Sequence, residues 1–314
     1  MSRSAARLAL ALLICGVPVW NSALCAEPSV PLALKFAAGD VLRYEVSFSG
    51  GGGVTVPGSE VSVVGLQGTL SVVQKVAEVL PDGSGRLETT IPGVQVDVTI
   101  GRDKASFAFA DGKLRWFANG KEAAPPEEAA LKNLPLLMAP VVVTVTPNGR
   151  TTGLSLADPQ LLSQLSQALP GLDLSRTVEA NAPVFPDTPV SVGETWRQNM
   201  QYSPLGPQMP VTVSISRTLD SYTEQAGMGV AKISSFADAR VRGTGELAAP
   251  GGFGVSIPEL RQTITSTEFF NATKGQLLRG DYDIGFHAGF AVKLGEEQKS
   301  GAVEARLRVS VQAR

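Results

Sequence analysis

Gly39-Asp40-Val41-Leu42-Arg43-Tyr44-Glu45-Val46-Ser47-Phe48 recurs, half a chain later, as Gly193-Glu194-Thr195-Trp196-Arg197-Gln198-Asn199-Met200-Gln201-Tyr202. Both stretches run glycine, acid, β-branched residue, large apolar residue, arginine, then alternation ending on an aromatic. Alternation of this kind belongs to a strand with one face on a core. A unit repeated at that spacing predicts two copies of one β meander. The repeat speaks of architecture and holds no chemistry.

The strand pattern extends outward from both openings. In the first copy, Gly68 to Leu80 reads as a strand, Pro81-Asp82-Gly83-Ser84-Gly85 as a turn, and Arg86 to Ile91 as the return. Val94 to Ile100, Ala105 to Phe109 and Leu114 to Ala118 follow, with Asp111-Gly112 and Asn119-Gly120 as hairpin signals. Val141 to Thr146 and Thr151 to Leu156 flank Pro147-Asn148-Gly149-Arg150. Gly50 to Gly53 reads as a flexible loop, because four glycines resist regular structure. In the second copy, Val211 to Leu219 pairs with Met228 to Phe236, and Ile264 to Phe270 with Gln276 to Phe286. Ala302 to Val311 closes the copy, and Gly243 to Gly254 reads as a glycine-rich loop.

Two short helices are expected. Pro125 to Met138 opens with Pro125-Pro126 and the acids Glu127 and Glu128, which suit a helix N-terminus. The second starts at Asp158-Pro159 and carries Leu161, Leu162, Leu165 and Leu169 on one stripe. Such helices would cover strand edges. The expected fold class is therefore all-β with minor α: two tandem related antiparallel curved sheets or half-barrels with short covering helices. The expected layout is a signal peptide over 1–26, a first β domain over 27–156, a helical and proline-rich connector over 157–189, and a second β domain over 190–314.

The N-terminus reads as an export signal. Arg3 and Arg7 precede the apolar run Leu8 to Val19, and Ala23-Leu24-Cys25-Ala26 offers cleavage after Ala26. The run is shorter than the roughly 20 residues a spanning helix needs. Removing the signal leaves no membrane-spanning helix, and the protein is expected to be periplasmic or secreted. Lipidation at Cys25 is disfavoured, because Leu24 is not the small residue a lipoprotein signal places there. Cleavage also removes both cysteines, and with them any disulfide, thiolate metal site or cysteine nucleophile. It takes the net charge from −2 to −4, since the 27 basic residues lose two against 29 acidic ones. No segment is strongly basic, so no nucleic-acid partner is expected.

The openings Lys35-Phe36-Ala37-Ala38-Gly39-Asp40-Val41-Leu42-Arg43-Tyr44 and Pro189-Val190-Ser191-Val192-Gly193-Glu194-Thr195-Trp196 resemble those of a family of secreted bacterial proteins of unknown function. Leu80-Pro81-Asp82-Gly83 and Thr146-Pro147-Asn148-Gly149-Arg150 belong to the same resemblance. The implied layout is also similar, at the level of fold, to the periplasmic lipoprotein carriers, a curved sheet with helices plugging an apolar concavity. The resemblance implies no catalytic residue.

Chemistry is sparse. His287 is the only histidine, and one imidazole builds neither the usual zinc shells nor, without an acidic neighbour, a triad. Gly243-Thr244-Gly245-Glu246-Leu247-Ala248 mimics a dinucleotide fingerprint, but Pro250-Gly251-Gly252 forbids the helix that must follow. No cofactor and no metal are expected. Asn271-Ala272-Thr273 matches a glycosylation acceptor that bacterial export leaves unused. Asp281 and Asp283 share a strand face that Asp238 and Glu268 would join to make a carboxylate pair for glycoside cleavage.

Tyr44, Phe48, Trp116 and Trp196 lie on inward faces, where they suit an apolar ligand or a packed core. The leading expectation is a non-catalytic envelope protein that binds a lipid, another apolar ligand or an envelope protein. The alternatives are a carboxylate-dependent hydrolase of envelope polysaccharide and a purely structural domain.

Overall fold

The computed structural model describes residues 29–56, 62–110, 112–124, 139–156, 183–202, 210–225, 227–241, 245–248, 254–294 and 297–314. Among them the chain is all-β. The strands are β1 Val41–Thr55, β2 Ser62–Val79, β3 Gly85–Ile100, β4 Asp103–Ala110, β5 Lys113–Ala118, β6 Lys121–Ala123, β7 Val141–Val145 and β8 Thr151–Leu156. They continue with β9 Thr195–Tyr202, β10 Val211–Gln225, β11 Met228–Val241, β12 Gly245–Ala248, β13 Gly254–Asn271, β14 Gln276–Leu294 and β15 Glu297–Ala313. The expected signal peptide, both expected helices and most of the Gly243–Gly254 stretch lie outside the described residues.

All these strands belong to one antiparallel sheet, ordered β6-β5-β4-β3-β2-β1-β15-β14-β13-β11-β10-β9. The strands of the first half and those of the second, two meanders, share this sheet because β1 pairs with β15, from Tyr44 opposite Ala313 to Thr55 opposite Ala302. An edge strand is a row of unpaired amides, and these two meanders pair theirs with each other. The β7–β8 hairpin is set aside on the early part of β3, while β4 takes the later part. Within the stretch expected to be a glycine-rich loop, β12 pairs Gly245–Ala248 with Gly254–Ile257 of β13.

The expectation of a flexible loop at Gly50–Gly53 is corrected. These glycines lie within β1, paired with Leu307 to Glu304 on one side and with Leu66 to Val63 on the other. A glycine run is costly in a strand, but here two partner strands hold it and the missing side chains let them approach closely.

Both openings use the same backbone device. The Gly39 amide donates to Val76 O, Asp40 to Ala37 O, and Val76 to Asp40 O. The Gly193 amide donates to Leu219 O, Glu194 to Ser191 O, and Leu219 to Glu194 O. Gly39 and Gly193 sit at φ of 90° and 84°, a left-handed conformation that favours glycine.

The best-packed core lies at one end of the second meander. Val30 and Val190 exchange backbone hydrogen bonds of 2.8 and 2.9 Å. Their segments lay Val30, Leu32, Phe185 and Val190 over Leu219, Ile233 and Phe270. Trp196 packs against this cluster and donates its Nε1–H to Val184 O at 2.9 Å.

Candidate functional site

Antiparallel register places paired residues on the same face, so facing follows directly from the ladder. One cross-strand row runs Trp196–Arg217–Ser235–Ser266–Tyr282–Val309–Phe48–Gly68–Val96–Phe107–Trp116. Phe48, Trp116 and Trp196, picked out from the sequence, thus sit on one row across the sheet. Tyr44 lies on the same face, in register with Val72. Leu42, Val46, Leu70, Val72, Val94, Val98, Phe109, Ile284, Leu307 and Val311 fill that face on either side of the row. The sheet is amphipathic over its whole width, with a single apolar face.

The aromatic residues are seated by their neighbours. Phe107 and Trp116 stack with ring planes 1° apart and centroids 6.3 Å apart. The Phe48 ring lies over Gly68, where a Cβ would collide with it, and the Tyr282 ring covers Gly280 in the same way. Phe48 fills the gap of a cross-strand glycine, and Tyr282 that of a glycine two residues back on its own strand. Phe48, Phe107, Trp116 and Trp196 are half-buried. Burial pushes the Tyr44 hydroxyl up to about 12.

Two charges intrude on this face. Arg217 is 6% exposed and Glu268 8%. Burial presses Arg217 down from its usual range, and the opposing charge of Glu268 partly restores it. Burial raises Glu268, with Arg217, Tyr282 and Ser266 pulling it back. Arg217, Tyr282 and Phe107 were missed in the sequence reading. The first had a signal: Val211, Val213, Ile215, Arg217 and Leu219 alternate, and the arginine interrupts the apolar series. Tyr282 had one too, since the aspartates flanking it must face the other way.

Asp281, Asp283 and Asp238 lie on the opposite, polar face, so the structure does not bring Glu268 to them. Each is spoken for. Asp281 accepts from Arg279 Nε and from Ser310 Oγ, both at 2.8 Å. Asp283 accepts from Arg306 Nε at 2.8 Å, and that guanidinium holds its carboxyl below the usual carboxylate range. His287 is half-buried between Glu304, at 3.4 Å, and Glu259, at 3.8 Å. Among the described residues no group of His, Cys, Asp and Glu is placed to hold a metal.

Asp238 accepts from Arg240 Nη2 at 2.6 Å and Arg261 Nε at 3.2 Å, and the Arg240 hydrogen bond leads in lowering its pKa. A depressed folded-state pKa contributes stability that is full above the unfolded value, near 3.9, and is lost as pH falls through the folded value. Thermal melts should therefore show Asp238→Asn less stable than the parent at pH 7, by no more than about 1 kcal/mol after solvent screening. The gap should close as pH falls below the lowered folded-state value, where the parent has lost the same contribution. A gap that persists in acid would assign the loss to packing instead.

No protein-family model matches this chain, and no curated protein or solved structure matches it, so the lipoprotein-carrier likeness rests on the sequence layout alone.

Proposed function

We propose that this chain is a non-catalytic protein of the bacterial envelope, periplasmic or secreted, that binds an apolar ligand on the aromatic face of its sheet. The observation that carries this reading is the row from Trp196 through Tyr282 and Phe48 to Phe107 and Trp116, half-buried and on one face. The Val30 and Phe185 segments cover the Trp196 end of this face; the remaining contiguous apolar surface needs a cover, and aromatic rings suit an apolar occupant. The strand order adds support. Sequence neighbours pair, and the last strand pairs with the first, as in an up-and-down barrel opened between β6 and β9. Larger barrels of that order enclose ligands.

The non-catalytic part of the reading is supported by the carboxylates. A glycosidase needs a raised acid beside a second carboxylate; Glu268 is raised but lies on the face opposite Asp281 and Asp283, while Asp238 and Asp283 are lowered by arginines. The envelope location is supported by the N-terminal sequence. The reading of two copies of one β unit is supported by the matched hydrogen bonds at Gly39 and Gly193.

Native mass spectrometry of protein purified from its own envelope fraction tests the proposal. The chain should begin at or near Glu27 and carry an adduct that organic solvent releases. Phe48→Asp should reduce the bound fraction at least about tenfold, because an ionised carboxylate on this face opposes an apolar occupant. Bare protein that also fails to take up an apolar fluorescent probe would overturn the proposal. Cleavage of envelope polysaccharide, lost in Asp281→Asn or Asp283→Asn with folding intact, would replace it with the hydrolase.

A further inference from the structure

We propose that Arg217 and Ser235 form a headgroup seat within the apolar face, and that the ligand is an amphiphile whose apolar tail ends in a carboxylate or phosphate. This rests on the reading of the face as a ligand-binding surface, and it names the class of ligand.

Arg217 stands in register with Trp196 on one side and Ser235 on the other. Its Nη1 donates to Gln198 Oε1 at 3.1 Å. Its Nε is buried and has no acceptor, and the Ser235 Oγ beside it is also buried and unpartnered. Paired residues on neighbouring strands are about 5 Å apart at Cα, so the two orphan groups stand side by side on one face. Buried donors are nearly always satisfied, and a charged one is the costliest to leave unpaired. A structural arginine would have its donors spent. This one keeps Nε in reserve next to a free hydroxyl, with Trp196, Leu219 and Ile233 close by.

The missing partner is an acceptor. An anionic oxygen satisfies both groups and makes the stronger, charge-assisted hydrogen bond with the guanidinium. Glu268 fits this arrangement. It accepts from Ser266 Oγ at 3.4 Å and its charge opposes that of Arg217. Burial raises the Glu268 pKa, which eases the approach of a second anion to Arg217. From the seat, Tyr282, Val309 and Phe48 continue the row and give the tail an apolar path.

The test titrates the delipidated full-length mature protein with oleate, methyl oleate, an oleoyl lysophosphatidate and inorganic phosphate, followed by tryptophan fluorescence and calorimetry. Oleate and the lysophosphatidate should bind at least about tenfold more tightly than methyl oleate, the range of one charged hydrogen bond. Arg217→Gln should remove that preference, while Arg217→Lys keeps part of it. Ser235→Ala should weaken the acids severalfold. Equal binding of acid and ester by the parent protein would overturn the seat and leave the apolar reading standing. Binding of neither would overturn both. Inorganic phosphate that binds through Arg217, with oleate and its ester equal, would overturn the amphiphile and make this a site for a free anion. If Arg217→Gln does not fold, Ser235→Ala carries the test, and an unchanged preference for the acid overturns the proposal.

Discussion

Replacing Phe270 by alanine should lower the unfolding free energy by about 4 kcal/mol. Phe270 is 2% exposed, and its ring meets Phe185 at 4.9 Å between centroids with a tilt of 47°. That geometry adds a specific aromatic contribution to the burial itself. The buried cluster that holds the ring is drawn from three separate pieces of chain. Val30 and Leu32 come from the N-terminal segment, Phe185 and Val190 from the stretch before β9, and Leu219 and Ile233 from β10 and β11. Backbone hydrogen bonds hold these pieces in place: Leu34 N to Pro147 O, Phe185 N to Asn148 O, and the Val30–Val190 pair. The void left by the ring therefore cannot collapse cheaply, which puts the cost toward the upper part of the range for such truncations. Urea unfolding should show a lower midpoint with the same slope. Phe185→Ala should be similar, and the double mutant should lose less than the sum, because both delete one contact. Phe236→Ala is the control: that ring is 45% exposed on the polar face and should cost no more than about 0.5 kcal/mol. A loss under 1 kcal/mol at Phe270 would mean that the cluster does not hold these segments together.

Alternation made the strands legible. Leu42, Tyr44, Val46 and Phe48 share a face in the ladder as their spacing predicts, and the Pro-Asp-Gly and Pro-Asn-Gly turns stand where they were read. Period two reports which residues share a face within a strand, but not which strand lies beside which. That is why β1 pairing with β15 was invisible: its partners are far apart in sequence and no local signal joins them. The glycine run was misread for a related reason. Intrinsic preference argues against a strand at Gly50–Gly53, and tertiary pairing overrides it. The candidate site was half legible. Large residues on a predicted inner face identified Phe48, Trp116 and Trp196, yet their shared row appears only once the register between strands is known. The acidic grouping failed at Glu268, which lies across the sheet from Asp281 because strand parity, once fixed by pairing, sends it to the other side.

Gly50→Val should cost about 3 kcal/mol and open the seam between the two meanders. A Cβ at Gly50 would run into Arg306 O and come within 2.8 Å of Leu307 Cα. At Gly52 it would meet Glu304 O and lie 2.8 Å from Ala305 Cβ. These are backbone atoms of the paired strand and the first atom of a side chain, so no flexible group can move aside. Valine at Gly50 forces β1 away from β15, and the amide ladder that joins the halves is the structure that yields. Hydrogen exchange should report this as faster exchange in β1 and β15, with β10, β11 and the Phe270 cluster unchanged. Gly65→Ala is the matched control. Its added methyl would find Thr99 Cβ at 3.6 Å, an ordinary contact, and stability should stay within about 0.5 kcal/mol. The seam also carries the aromatic row, since Val309 of β15 faces Phe48 of β1 across it. Gly50→Val should therefore weaken apolar-probe binding even at temperatures where the second meander stays folded. Undiminished binding with an opened seam would confine the ligand to one meander, on the Trp196–Tyr282 side or the Phe48–Trp116 side.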